Sequence, residues 1–200
     1  MSTPGRRADA VRNRQLALEA ATALTAEPGA SLTVEAIAKR AGLGAATVVR
    51  AFGGKEPLLD AAVSGLLEPV VRRAEALLRE AAPDQALRTF LAELIAFQSA
   101  HHAISDHLGG LDLPATTALR GRLVQVVEDM ITGARDAGVI RTDLDPAVTS
   151  VLVGQAAYAI ARTNPAPEGL ADAFITVVMD GLRPVKGQDD SGRPAPSTVT

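Results

Sequence analysis

Six residues early in the chain have the types and spacing to hold and read nucleic acid: Thr33, Gly44, Ala45, Thr47, Arg50 and Lys55. Arginine can donate two hydrogen bonds to guanine O6 and N7, and a threonine methyl or hydroxyl can meet a base or a phosphate. Arg50 and Thr47 are three residues apart, the spacing of neighbours on one helical face. Lys55, at the start of a helical pattern, suits a phosphate held at a helix N-terminus. Gly44 and Ala45, with Ala46, offer little bulk and only small apolar contact to thymine methyls.

Two short helices must position these side chains. Thr33 can cap the first, and Glu35 places a favourable charge in its opening turn. Val34, Ile37, Ala38 and Ala41 then share one face, and Gly42 stands where the backbone must turn left-handed to stop the helix. Leu43 plugs the turn. A second helix over about Ala45 to Phe52 is expected to turn Val48, Val49 and Phe52 inward. Residues 33–52 therefore read as a helix-turn-helix, whose second helix enters the major groove of double-stranded DNA.

At these residues the chain resembles the TetR family of transcriptional repressors. The resemblance covers roughly residues 8–66 and rests on LEAATALTAEPGA (18–30), TVEAIAKRAG (33–42), TVVRAF (47–52) and GGKEPLLDAAV (53–63), in order and without a gap. The departures are Thr25 for a Phe, Ala30 for an aromatic, and Val49 and Ala51 for a Tyr and a His that commonly touch phosphates. The resemblance implies a ligand cavity among helices four to eight and a dimer formed by helices eight and nine. Phe90, Leu94, Phe97, Gln98, His101, Met130, Tyr158 and Arg162 suit the lining of such a cavity, with Gln98, Tyr158 and Arg162 as its polar groups. Val151, Gly154, Ala157, Ala161, Phe174, Val178 and Leu182 suit close helix packing between two copies. A homodimer would space two heads by about 34–36 Å along a pseudo-palindromic operator. A small molecule would favour a conformer whose heads no longer match successive grooves.

The remainder of the sequence agrees with an all-α fold of about nine helices. Ala, Leu and Val dominate, and no alternation of β-branched and polar residues persists. Pattern breaks place the helices at about 8–25, 34–41, 45–52, 55–82, 84–101, a short sixth within 102–114, then 115–137, 146–163 and 168–182. Pro69 is expected to kink the fourth. This divides the chain into a DNA-binding head (8–54), a ligand-binding and dimerisation body (55–183) and a disordered tail (184–200).

The net charge of −3 conceals a polarity. Residues 1–60 hold eight Lys/Arg against six Asp/Glu, and the rest hold twelve against seventeen. A positive head, with Arg6, Arg7, Arg12 and Arg14 near its start, on an acidic body suits one-ended contact with phosphates. Cysteine is absent, which removes disulfides and thiolate metal sites. No leader-like apolar segment and no apolar run near the ~20 residues of a membrane span occur, so a cytoplasmic protein is expected. His101, His102, Asp106 and His107 form the one cluster suggestive of metal. Without a cysteine or a second set of supporting groups, no metal and no cofactor is expected there. No nucleophile or acid–base pair is visible, which speaks against the rival reading of a helical-fold enzyme. A second rival, a ligand-binding protein with weakened DNA binding, would account for the missing Tyr and His.

Overall fold

The computed structural model of the chain describes residues 4–27, 29–101 and 110–184. These residues form eight helices: α1 (Pro4–Thr25), α2 (Val34–Ala41), α3 (Ala45–Phe52), α4 (Lys55–Glu80), α5 (Pro83–Ala100), α6 (Pro114–Asp136), α7 (Pro146–Ala161) and α8 (Leu170–Gly181). The all-α expectation holds. The short sixth helix or turn, the cluster of His102, Asp106 and His107, and the tail beyond Pro184 lie outside the described residues.

Proline opens α5, α6 and α7. Pro83, Pro114 and Pro146 occupy first turns, where the missing N–H would have had no partner anyway. Asp145 completes the start of α7, its carboxylate accepting from the amides of Ala147 and Val148 at 2.9 and 3.1 Å. The helix α4 passes through Pro69 without interruption. Pro69 leaves the Gly65 carbonyl without its donor, but both residues are exposed, so solvent can serve that carbonyl.

Two apolar clusters organise the molecule. In the head, Ala17, Ala21 and Leu24 of α1 meet Leu32, Ile37, Val48 and Phe52, together with Leu58, Leu59 and Val63 from the first turns of α4. In the body, Leu87, Phe90 and Leu91 of α5 pack with Met130 and Ile131 of α6, Val153 and Ala157 of α7, and Ile175 and Met179 of α8. The first half of α4 belongs to the head cluster, whereas its second half, through Ala74 and Leu77, belongs to the body. One continuous helix therefore crosses from one core to the other, packing most extensively on α6.

Candidate nucleic-acid interface and regulatory cleft

The head is built from caps. The Thr33 hydroxyl accepts from the Ala36 amide at 3.2 Å, opening α2. Gly42 closes it with φ +68°, and the Leu43 amide reaches back to the Ala38 carbonyl at 2.9 Å. Only glycine takes that left-handed turn without strain. The helix α3 then begins at Gly44, whose carbonyl accepts from Thr47 and Val48 but which has no side chain to cap with. Gly54 precedes α4 in the same way. The N-termini of α3 and α4 thus lack side-chain caps, leaving amide groups for an anion.

On α3, Val48 and Phe52 are buried, and at 100° per residue Arg50 lies opposite them. Arg50 is exposed and has no hydrogen-bond or ionic partner among the described residues. Lys55 is half-buried and equally unpaired among them. Ala46 and Thr47 flank Arg50, while Ala45 is half-buried and packs on the head core. Val49 does not turn inward as expected: it is 43% exposed, because it lies a third of a turn past Val48, at the edge of the buried stripe. Arg14 also departs from its expected place among the positive residues facing phosphate. Its guanidinium donates to the Ala51 carbonyl at 2.7 Å and lies 4.1 Å over the Phe52 ring, fastening α1 to the end of α3.

A second site lies two turns further along α4. A cleft of about 80 Å³ opens between four helices, with an apolar side of Val63, Leu67 and Phe97 and a polar side of Gln98, His101, Arg120 and Tyr158. Four of the predicted lining residues, Phe97, Gln98, His101 and Tyr158, meet here. Phe90, Leu94 and Met130 do not reach it; they are packed into the body core, since they fall on the inward stripes of α5 and α6. Arg162 lies over the Tyr158 ring and donates to its hydroxyl at 3.2 Å, beside a wider hollow of about 360 Å³ at the end of α7. Sequence reasoning missed Val63, Leu67 and Arg120, which come from helices far apart in the chain.

Between the head and this cleft sits Asp60. It is buried on α4, and both its oxygens take up the start of α6: the Ala115 amide at 3.0 Å, the Thr116 amide at 2.8 Å and the Thr116 hydroxyl at 2.7 Å. Leu113, which precedes α6, supplies no side-chain cap, so Asp60 caps that helix from another one. Burial alone would raise the Asp60 carboxyl, but the hydrogen bonds from Thr116 and Ala115 outweigh it and hold it below the ordinary aspartate value. The signal in the sequence is an acid at the 60-63-67-71-74 spacing of the buried stripe.

The outer faces of α7 and α8 carry Val148, Val151, Leu152 and Val177, all more than half exposed. Phe174, Val178 and Gly154 are half-buried beside them. Leu182 is not on this face: it is buried in the body, and its carbonyl accepts from the Arg141 amide at 2.7 Å. Ala157 and Ala161 are likewise buried within the chain. Among the described residues no group of three or more His, Cys, Asp or Glu could hold a metal, and no helix is long and apolar enough to cross a membrane.

Two short helices in a glycine turn, with an unpaired arginine facing out and a helical body behind, define a helix-turn-helix DNA-binding protein. Comparison with known proteins agrees. Residues 17–62 match the profile described as bacterial regulatory proteins, tetR family, and residues 82–184 match that of the transcriptional regulator SbtR-like C-terminal domain. A TetR transcription regulatory protein from Mycobacterium vanbaalenii is 31% identical over 88% of this chain and 98% of its own, with a TM-score of 0.61. PfmR, a TetR family regulator from Thermus thermophilus, is 25% identical over 84% and 98%, with a TM-score of 0.68. FadR from Bacillus subtilis, solved with stearoyl-CoA, shares the fold at 18% identity over 84% and 99%, with a TM-score of 0.69. No curated protein sequence matches. The chain belongs to the TetR family, and it is a DNA-binding transcriptional regulator.

Proposed function

We propose that the protein is a cytoplasmic repressor that binds a pseudo-palindromic operator as a homodimer and is released by a small molecule entering the cleft. The observation that carries this reading is the course of α4. Lys55 stands at its first turn beside the reading helix, Asp60 joins it to α6, and Val63 and Leu67 wall the cleft. Lys55 and Val63 are eight residues apart, about 12 Å along the helix axis. The cleft, at about 80 Å³, is well below the roughly 300 Å³ of an ordinary ligand pocket. Ligand therefore enters by displacing a wall, and the α4 wall is continuous with the head. Moving it re-aims Arg50 and Lys55 and changes the separation of two heads on DNA.

The head (8–54) and body (55–183) act as the DNA-binding and the ligand-binding, dimerising units. Arg50 and Thr47 meet bases, with Gly44 and Ala45 allowing close approach. Thr33 and Lys55 hold the backbone: the Thr33 hydroxyl accepts from Ala36, which leaves its own proton to donate to a phosphate. The exposed valines and Leu152 of α7 and α8, with Phe174 and Val178, supply the dimer face, an apolar area of the kind that calls for a partner. The stearoyl-CoA in Bacillus subtilis FadR is one instance of a small molecule held by this fold.

A gel-shift titration on DNA from upstream of the protein's own coding region, with and without extracts of small metabolites, tests the reading. Binding that is lost on adding extract and restored by dialysis supports it. A protein that binds this DNA equally with and without every fraction is not released by ligand.

A further inference from the structure

The polar side of the cleft carries a particular donor and acceptor pattern. The side-chain carbonyl oxygen of Gln98 is buried and has no hydrogen-bond partner among the described residues. Buried polar atoms are rarely left unpaired in native proteins, so this acceptor calls for a donor brought from outside. His101 holds its Nδ1 2.9 Å from the Phe97 carbonyl, to which that nitrogen donates. Tyr158 accepts from Arg162, which leaves its hydroxyl proton free to donate.

The charge pattern is one-sided. Arg120, on the cleft rim, has no acidic partner among the described residues, whereas Arg122 on the same helix is paired with Glu75 at 2.6 Å. None of the lining residues is Asp or Glu, although the chain beyond residue 60 has an acidic surplus. A single free guanidinium fork in such a setting matches one carboxylate, by two parallel hydrogen bonds. Val63, Leu67 and Phe97 give the same cleft an apolar wall, against which a ring can pack.

We propose that the effector is a compact hydroxy acid: an apolar, ring-sized body with a carboxylate at one end, held by Arg120, and a hydroxyl at the other, donating to Gln98. This rests on the reading of the cleft as the effector site and specifies its chemistry. The carboxylate would be joined by the Tyr158 hydroxyl, and the ligand hydroxyl would satisfy the unmet buried acceptor.

The probes are 4-hydroxybenzoate, 4-hydroxyphenylacetate and 4-hydroxycinnamate, each beside the matching phenol without the carboxylate and the acid without the hydroxyl. Calorimetric titration of the full chain should find at least one hydroxy acid binding tenfold or more tighter than both of its partners. Arg120→Met should abolish the preference for acid over phenol, with Arg120→Lys retaining part of it. Gln98→Leu should abolish the preference for the hydroxyl, and Gln98→Glu should repel the acids; circular dichroism confirms that each variant is folded. Equal binding of phenols and acids, preferences that survive in folded Arg120→Met and Gln98→Leu, or no binding by any probe would overturn the assignment. A gel-shift assay with the same compounds separates the two claims. A hydroxy acid that binds in this pattern without releasing DNA sustains the ligand class and defeats the release mechanism. Release by neutral compounds independent of Arg120 does the reverse.

Discussion

Arg50 is the side chain on α3 most directly opposed to the head core, and its guanidinium is unpaired among the described residues. Replacing it by Ala should cost about 1–3 kcal/mol of operator binding and relax preference at one base position, measured by fluorescence anisotropy on operator variants. Lys55→Ala should instead weaken all sequences alike and lower the salt slope by about one unit, because it removes one phosphate contact. If Arg50→Ala binds every sequence as the parent does, α3 does not read bases. Arg14 yields a different expectation. Its charge is engaged by the Ala51 carbonyl and the Phe52 ring, so Arg14→Ala should loosen α3. The result should be a stability loss of about 1 kcal/mol accompanied by weaker operator binding, with a near-normal salt slope. The caps and turn at Thr33, Gly42 and Gly44 were legible as residues because each is set by its immediate neighbours. The outward turn of Val49 was not, since a residue at the edge of a stripe is assigned by what packs beside it.

At the scale of elements, the junction of α4 with α6 is the point at which head and body meet. Asp60→Ala would strand the buried amide of Thr116 and the part-buried amide of Ala115, and should cost about 2 kcal/mol in denaturant unfolding. Because the folded state holds this carboxyl below its ordinary value of 3.8, Asp60 stabilises the fold above that value. The contribution is lost as pH falls through the lowered folded value, since the unfolded state then binds the proton first. Asp60→Asn should therefore flatten the acid limb of stability as pH falls below the ordinary carboxyl value of 3.8, measured by urea midpoints. A variant whose acid limb matches the parent's would show that Asp60 is not the group responsible. Pro69 belongs to the same helix. Pro69→Ala restores a donor to the Gly65 carbonyl and should stiffen α4, leaving operator binding in place while blunting ligand-induced release. A folded Pro69→Ala protein with the parent's full response would remove Pro69 from the coupling.

At the scale of the whole molecule, the proposed homodimer would set the affinity, because a single head presents few cations. Val151→Asp with Val177→Asp puts charges at positions 59% and 71% exposed in the chain, so the monomer should still fold. A dimer burying them should dissociate, since an unpaired charge in an apolar contact is strongly unfavourable. Light scattering should report the monomer mass, and tight operator binding should fall with it. A dimer that survives both substitutions would place the interface elsewhere.

The sequence by itself determined the helices, the turn between α2 and α3 and the arginine that faces away from the head, because caps, glycines and helical periodicity act within a few residues. Only the tertiary structure decided which residues share the cleft. Gln98 on α5, Arg120 on α6, Tyr158 on α7 and Leu67 on α4 are brought together by packing across long stretches of chain. No local pattern distinguishes them from Phe90 or Met130, which the same packing turned into the core. Asp60 lay on an apolar stripe in plain view, yet its partners are some 55 residues away, so its role as the cap of α6 existed only once α4 and α6 had met.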